Sequence, residues 1–460
     1  MTQDSDLWLD DDTIAALSTP PGIGGLALIR VSGPRALEVV RSCAPGLSES
    51  PSPRRATLVD LEARGEHLDH GMVTFFPAPR SYTGEEVLEI SLHGAPVLVD
   101  RLISALCSAG ARRARPGEFT LRAFRNGRMD LMQAEAVNEL IHARTVDGAR
   151  LALSSLDGAL SQRIAKLRAD LIELGANLET EIEFAEDQHT GTIPILDVVA
   201  SARDEIRMIL EHARFNEVLA KGLKVVIAGR VNVGKSTLFN CLQGNDRALV
   251  SSRPGTTRDF LTETIYVEGF PVDLTDVAGW DNLSRDELET RGIRRGVERL
   301  AAGDAVLFLI DASRPLTAAD DEMDRMSSGH SRLVVATKMD RADPETLKRI
   351  RQRYRAEEYC EVSALDDPAV PPVRDYLRRR VLELVRREDD FAVSARQREL
   401  LRELADVLTR ICTGLAGSRP AVEVLAEELR RGLECIGRLT GGITTGEILD
   451  AVFSRFCIGK

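Results

Sequence analysis

The sequence predicts an α/β plus all-α protein: an N-terminal α/β unit, then a helical domain interrupted by a second, inserted α/β domain. Three observations carry this. Strand-like apolar runs that end at glycine fall within residues 13–125. From about 130 to 215, and again after 381, leucines and isoleucines step by three or four. Between these stretches, residues 222–380 alternate short apolar runs with helical segments, as a parallel sheet covered on both faces requires.

The bulk properties agree. At 460 residues the chain is too long for one ordinary core. It is 43% hydrophobic and 29% charged, with only 4% aromatic residues, which leans helical and globular. There is no 18-residue apolar run, so no membrane span is expected. The acidic opening "MTQDSDLWLDDD" lacks the basic-then-apolar order of a signal peptide, and a cytoplasmic location is expected. Seven cysteines at long spacings, without C-x-x-C, argue against a disulfide framework and a cysteine zinc site. The net charge of −12 excludes a uniformly basic surface but not a local basic patch.

Taken in order, "GGLALIRVSG" (24–33) and "VLEISLHG" (87–94) predict strands, and "APVLVDRLISALCSAG" (95–110) predicts a helix stopped by Gly110. Residues 44–56 form a Pro- and Ser-rich loop. Leu153, Leu156, Leu160, Ile164, Leu167, Leu171, Leu174, Leu178 and Ile182 predict one long helix with a narrow apolar stripe. "HTGTIP" (189–194) breaks it. The inserted domain has strand candidates "LKVVIAG", "PVDLTDVAG", "AVLFLID", "RLVVATK" and "CEVSA". In the returning helical part, Leu425, Leu429, Leu433 and Ile436 share a face.

The strongest chemical motif is "GRVNVGKST", Gly229–Thr237, which fits G-x-x-x-x-G-K-S between an apolar strand and a helix. In that context backbone N–H groups at the helix N-terminus cradle phosphates. Lys235 reaches the β- and γ-phosphates, and the Ser236 hydroxyl binds Mg²⁺. "PGTTRD" (254–259) supplies Thr257 as a second Mg²⁺ hydroxyl, and "DVAGW" (276–280) places Asp276 near the metal and the Gly279 N–H at the γ-phosphate. In "TKMD" (337–340), the Asp340 carboxylate accepts from two guanine N–H groups that adenine does not offer. "SA" (363–364) closes over the base. Any one piece is weak, and Asp340 alone would more often be a solvated loop carboxylate. Five in order at strand ends predict a GTPase. The expected nucleotide site is Asn232, Val233, Gly234, Lys235, Ser236, Thr237, Ser251, Ser252, Arg253, Pro254, Gly255, Thr256, Thr257, Asp276, Val277, Ala278, Gly279, Thr337, Lys338, Asp340, Ser363 and Ala364.

Beyond these motifs the chain resembles the MnmE (TrmE) family of tRNA-modification GTPases along nearly its whole length. The resemblance rests on "DTIAALSTPPGIGGLALIRVSG" (12–33), "SYTGEEVLEISLHG" (81–94), "ARPGEFTLRAFRNGRMDLMQAEAV" (114–137), the nucleotide motifs and "ITTGEILDAVFSRFCIGK" (443–460). It implies an N-terminal tetrahydrofolate-binding and dimerisation domain (1–125), a helical domain (126–215 and 381–460) and an inserted Ras-like G domain (216–380). It further implies a homodimer, joined by an MnmG-like FAD protein in a heterotetramer. Together they place an aminomethyl or carboxymethylaminomethyl group on C5 of the wobble uridine of certain tRNAs, with 5-formyl- or methylene-tetrahydrofolate supplying carbon.

Carried over residue by residue, the resemblance puts the folate site at Arg30, Glu89, Arg128 and Lys460. Arg and Lys suit a carboxylate tail, and Glu suits the donor edge of a pterin. Arg128 stands where the family usually has Lys, which keeps the charge but not the shape. The family uses K⁺ where other GTPases use an arginine finger. Asn232 matches its side-chain ligand, with carbonyls of Ser251, Arg253 and Thr256 completing the site. Lys235, Asn282 and Cys457 are the expected catalytic residues.

The chain also departs from the family. Val231 replaces a proline, Val277 a threonine and Thr337 the asparagine of N-K-x-D, and Arg253 and Pro254 stand where small or apolar residues are preferred. Asn282 aligns with the glutamate that positions the attacking water, with Asp281, Asp286 and Glu287 as nearby substitutes; slower hydrolysis than is usual for the family follows. Two other functions compete. A regulatory GTPase of ribosome assembly explains residues 222–380 but gives no role to the N-terminal part. A lipid-anchored switch rests only on "FCIGK", whose Gly-Lys ending is a poor prenylation box. Cys457 is therefore either a buried structural thiol or a reactive thiol in the folate pocket, with Arg455 and Lys460 close in sequence to favour its thiolate.

Overall fold

In Gly24–Ser32, Ala27, Ile29 and Val31 alternate with Leu28 and Arg30. Only an extended chain sends one set into a core and the other to the opposite face. The computed structural model describes residues 12–183, 195–230, 232–243, 262–267, 270–276, 303–363, 371–385, 391–416 and 421–459. These residues form two compact units: one of 1–142, 152–210 and 393–460, the other of 143–151 and 211–392.

In chain order the first unit opens with β1 (Ile14–Leu17), β2 (Gly24–Ser32), α1 (Ala36–Cys43), β3 (Thr57–Ala63), β4 (Glu66–Phe76), β5 (Val87–Gly94), α2 (Pro96–Ser108), β6 (Arg112–Arg113) and α3 (Glu118–Arg125). The sheet order is β3-β4-β5-β2-β1-β6, antiparallel except for β1 with β6. One face buries Ala27, Ile29, Val31, Leu88, Ile90 and Leu92 against Val39, Val40, Leu102 and Leu106 of α1 and α2. On the other face Ile14 and Ala16 pack with Phe119 of α3 and with Tyr82. Arg30 and Glu89 are cross-strand partners, set out of phase with the buried residues of the helix-covered face.

The helices α4 (Leu131–His142), α5 (Val146–Leu156), α6 (Ala159–Glu183) and α7 (Ile195–Lys221) follow. The single long helix expected from Leu153 to Ile182 is two helices. Gly158 adopts φ +94° between them, a left-handed conformation that ends α5. The Gln133 side-chain amide donates to the Leu156 carbonyl at 2.8 Å, satisfying a helix end. The four-residue step from Leu156 to Leu160 spans the break, so the leucine spacing conceals it. Leu160, Ile164, Leu167, Leu171, Leu174 and Leu178 are buried as the stripe predicts, whereas Leu153 is 48% exposed. The expected break at 189–194 lies outside the described residues.

The second unit continues through β7 (Leu223–Ala228), α8 (Lys235–Gln243), β8 (Thr262–Val267), β9 (Phe270–Asp276), β10 (Ala305–Asp311), α9 (Ala318–Ser327), β11 (Arg332–Thr337), α10 (Pro344–Arg353), β12 (Tyr359–Glu361) and α11 (Pro371–Val385). Its sheet order is β12-β11-β10-β7-β9-β8. Five strands are parallel, as the apolar runs predict; β8, absent from the sequence reading, is an antiparallel edge strand paired to β9. The chain then returns to the first unit as α12 (Ala395–Ala416), α13 (Val422–Thr440) and α14 (Gly446–Phe453). Leu425, Leu429 and Ile436 of α13 are buried and Leu433 is half-buried. Among the described residues no helix is long and apolar enough to cross a membrane.

Candidate functional site

The central strand β7 lies between β9 and β10, where the strand order reverses, and open α/β sheets bind ligands beyond the carboxyl ends of strands at such a point. The chain leaves β7 through a turn with three left-handed residues: Gly229 (φ +154°), Asn232 (φ +59°) and Gly234 (φ +112°). Gly229 is also dictated by space, since a Cβ there would stand 2.8 Å from the Leu309 carbonyl oxygen. This curl leads into the N-terminus of α8, whose first residues are Lys235, Ser236 and Thr237. Lys235 is 7% exposed, and its Nζ donates to the carbonyls of Gly229 (2.8 Å) and Arg230 (3.0 Å). These contacts hold the ammonium over the loop, within reach of an anionic phosphate oxygen.

The ends of β10 and β11 tie onto this loop. The Thr337 hydroxyl donates to the Val233 carbonyl at 2.6 Å and lies 3.2 Å from that of Ile310. The expected loss from Asn to Thr therefore leaves a direct bond to the phosphate loop in place. Lys338 (φ +58°) donates to the Asn232 carbonyl at 2.6 Å and to Asp311 Oδ2 at 2.8 Å. Burial pushes Asp311 up, but hydrogen bonds from Lys338 and from the hydroxyl and N–H of Ser313 hold it below the usual carboxylate range. The sequence reading missed Asp311. Its signal was a lone carboxylate closing the wholly apolar run "AVLFLI".

Asp340 sits in a 3₁₀ turn, Met339–Arg341, with the Ser363 hydroxyl 3.4 Å from one oxygen and Arg341 3.4 Å from the other. The structure thus brings together Asn232, Val233, Gly234, Lys235, Thr337 and Lys338 directly, and Asp340 with Ser363. Asp276 ends β9 in register with Ile227 of β7. Ser251, Ser252, Arg253, Pro254, Gly255, Thr256, Thr257, Val277, Ala278, Gly279, Asn282 and Ala364 lie outside the described residues.

A second cluster lies in the N-terminal sheet. Arg30 Nε and Nη2 both donate to Glu89 Oε1, at 3.1 and 2.7 Å. The guanidinium stacks 5.2 Å from the Tyr82 ring centre and 5.7 Å from that of Phe119, both attractive for a cation. The Tyr82 hydroxyl meets Thr120 Oγ1 at 2.9 Å, and burial pushes its phenol above the ordinary range. Arg128 is exposed on the turn after α3. That turn is joined to the Tyr82 loop by the Asn126 side chain, which donates to the Thr83 carbonyl at 2.7 Å. The aromatic partners of Arg30 were not singled out in the sequence because they are distant from it in the chain.

The C-terminal residues reach the same region. The Gly117 N–H points at the Cys457 carbonyl at 3.4 Å, Pro116 and Ile458 form an antiparallel bridge, and Ser18 Oγ donates to the Gly459 carbonyl at 3.1 Å. Phe456 is buried with Phe453, Leu121 and Leu131. Cys457 is exposed, which removes the buried-thiol reading. Lys460 lies outside the described residues.

Two family descriptions match the chain: GTP-binding protein TrmE N-terminus over residues 13–128 and MnmE helical domain over 131–457. Curated proteins described as "tRNA modification GTPase MnmE" are similar over nearly the full length. That of Aquifex aeolicus is 36% identical, covering 98% of this chain and 100% of the relative. That of Alkalilimnicola ehrlichii is 39% identical, covering 97% and 99%, and that of Nitrosococcus oceani 38%, covering 98% and 97%.

Proposed function

The chain belongs to the MnmE family, and from that premise we propose that it is a GTP-hydrolysing tRNA modification enzyme of the cytoplasm. Acting as a homodimer with an MnmG-like FAD protein, it adds a carboxymethylaminomethyl or aminomethyl group to C5 of the wobble uridine. The division is folate-binding and dimerisation domain 1–125, helical domain 126–215 and 381–460, and G domain 216–380.

In the G domain the chemistry of the donor set fits a magnesium-bound guanine nucleotide. The curled loop and the N-terminus of α8 present N–H groups to phosphate. Lys235 moves from the carbonyls of Gly229 and Arg230 to the phosphates. Ser236 and Thr257 would hold Mg²⁺, and Asn232 with carbonyls of Ser251, Arg253 and Thr256 would hold K⁺. When bound, these ions neutralise charge spreading over the β- and γ-phosphate oxygens. Asp340 accepts from the guanine edge, and Asn282 orients water.

In the N-terminal domain Arg30, engaged by Glu89 and two rings, fixes the carboxylate that receives the pterin edge. Arg128 and Lys460 serve the carboxylate tail of a 5-formyl- or methylene-tetrahydrofolate. Cys457, exposed beside this region, is the reactive thiol.

The observation that carries this reading is the docked tail, with Cys457, Ile458 and Gly459 each bonded to the N-terminal domain. A lone regulatory GTPase needs no such contact. The test is nucleoside analysis of tRNA from cells lacking the protein, complemented with wild type or Cys457→Ser. Modified wobble uridine should vanish in the deletion, return with wild type and stay low with Cys457→Ser. Unchanged wobble uridines in the deletion strain would overturn the assignment in favour of a regulatory GTPase.

A further inference from the structure

The hairpin of β3 and β4 forms an edge of the N-terminal sheet and has no part in either site above. Its register is regular from Thr57↔Val73 to Leu61↔Asp69, then shifts, so that Glu62 faces His67 and Leu68 is the extra residue. Side chains alternate faces along a strand, so His67 and His70, three apart, would normally point to opposite sides. The bulge restores them to one side, a re-aiming that bulges commonly perform. The two imidazole rings lie 4.8 Å apart, centre to centre. Asp60, the cross-strand partner of His70, meets His70 Nδ1 at 2.6 Å.

One donor atom from each of Asp60, His67 and His70 lies within 4.8 Å of the others, and all three residues are exposed. From this juxtaposition we propose that the β3–β4 hairpin holds a divalent transition-metal ion, with two imidazoles and one carboxylate as protein ligands and water completing the shell. Two nitrogen donors and one oxygen suit Zn²⁺, Co²⁺ or Ni²⁺, and do not suit Mg²⁺ or Ca²⁺, which take oxygen. Ligands about 2.0–2.1 Å from a tetrahedral zinc stand about 3.4 Å apart, so the exposed side chains adjust by roughly 1 Å, with the Asp60–His70 pair, now 2.6 Å apart, opening to admit the ion. The ion takes the place of the direct contact between Asp60 and His70. The backbone beneath is fixed from the buried side, where Asp69 accepts from the His70 N–H at 2.8 Å and the His93 N–H at 2.9 Å. Glu62, opposite His67, adds negative charge that favours a cation.

The experiment is calorimetric titration of the full-length protein with Zn²⁺ in Mg²⁺-containing buffer, beside the variant His67→Ala/His70→Ala. Wild type should bind one equivalent more than the double variant, and Asp60→Asn should weaken that equivalent at least about tenfold. With Co²⁺ as probe, wild type should show visible ligand-field absorption that the double variant lacks. Unchanged circular dichroism and melting temperature of the metal-free variants verify folding. Equal stoichiometry and equal Co²⁺ spectra in wild type and double variant would overturn the proposal.

Discussion

Gly459 lies so close to Leu17 that a Cβ on Gly459 would collide with the Leu17 carbonyl oxygen. Its φ of +94° is also one that residues with side chains rarely adopt. Gly459 therefore rests on the end of β1, one residue from Ala16, the cross-strand partner of Arg30. Three separate contacts, at Gly117, Pro116 and Ser18, hold the segment there.

Gly459→Ala should undock the tail, since about 1–2 kcal/mol of left-handed strain adds to the collision. The buried anchor Phe456 stays, so the protein still folds. Wobble-uridine modification, read by nucleoside analysis, should fall to near the level of the deletion strain. GTP affinity of the separate G domain should stay within about twofold, because nothing in the phosphate loop is touched.

Glu89→Gln should weaken formyl-tetrahydrofolate binding by at least about tenfold, through loss of a charge-assisted partner. Arg30→Lys should do the same although the charge remains. An ammonium cannot donate from two fixed nitrogens to Glu89 while lying flat against Tyr82 and Phe119. Fluorescence titration with the folate measures both. Full affinity in Arg30→Lys would mean that charge alone suffices.

Which of these features were legible beforehand follows from distance along the chain. β2 and β5 are predicted to within a residue because their alternation is local. The five parallel strands of the G domain are legible as short apolar runs, and the edge strand β8 is not, since the three polar residues of "TETIYV" precede the three apolar ones and no alternation shows. Gly158 hides a helix break inside an unbroken leucine spacing. The phosphate loop carries its own signature, but Asp311, Tyr82 and Phe119 join the candidate sites only through partners 27, 52 and 89 residues away: Lys338 for the first, Arg30 for the others. The folate and tail residues were reached by resemblance to a family; composition and spacing alone leave Arg30 an ordinary surface cation.

Thr337→Val removes the hydroxyl that donates to the Val233 carbonyl inside the phosphate loop. A buried acceptor left without its partner costs about 1–3 kcal/mol, so GTP should bind roughly 5- to 150-fold more weakly. Thr337→Ser keeps the hydroxyl and should remain within about threefold of wild type, separating the hydrogen bond from packing. A fluorescent GTP analogue reads both.

Asp311→Asn should destabilise the G domain at neutral pH by about 1–3 kcal/mol, through loss of the charged bond to Lys338. A domain of this size shifts its melting temperature by roughly 2–4 °C per kcal/mol. The pH dependence has a definite sign. Asp311 is held below its ordinary value in the fold, so its stabilisation is complete above the unfolded value of about 3.9 and is lost as pH falls through the lower folded value. Melting curves of wild type and Asp311→Asn should thus stay separated at pH 7 and converge in acid, below about pH 4.

Asn282→Glu should accelerate GTP hydrolysis in the presence of K⁺. An amide can orient water but cannot accept its proton, whereas a positioned base contributes typically about 10²–10⁴-fold. Substrate-assisted proton transfer would absorb part of that, so an increase of roughly 10-fold or more is expected in single-turnover assays. Nucleotide affinity should be unchanged, which separates chemistry from binding. If wild type already turns over with K⁺ like its relatives and Asn282→Glu adds nothing, the water is positioned by another group. Asp281, Asp286 and Glu287 are then the residues to replace, since each brings a carboxylate within five positions of Asn282.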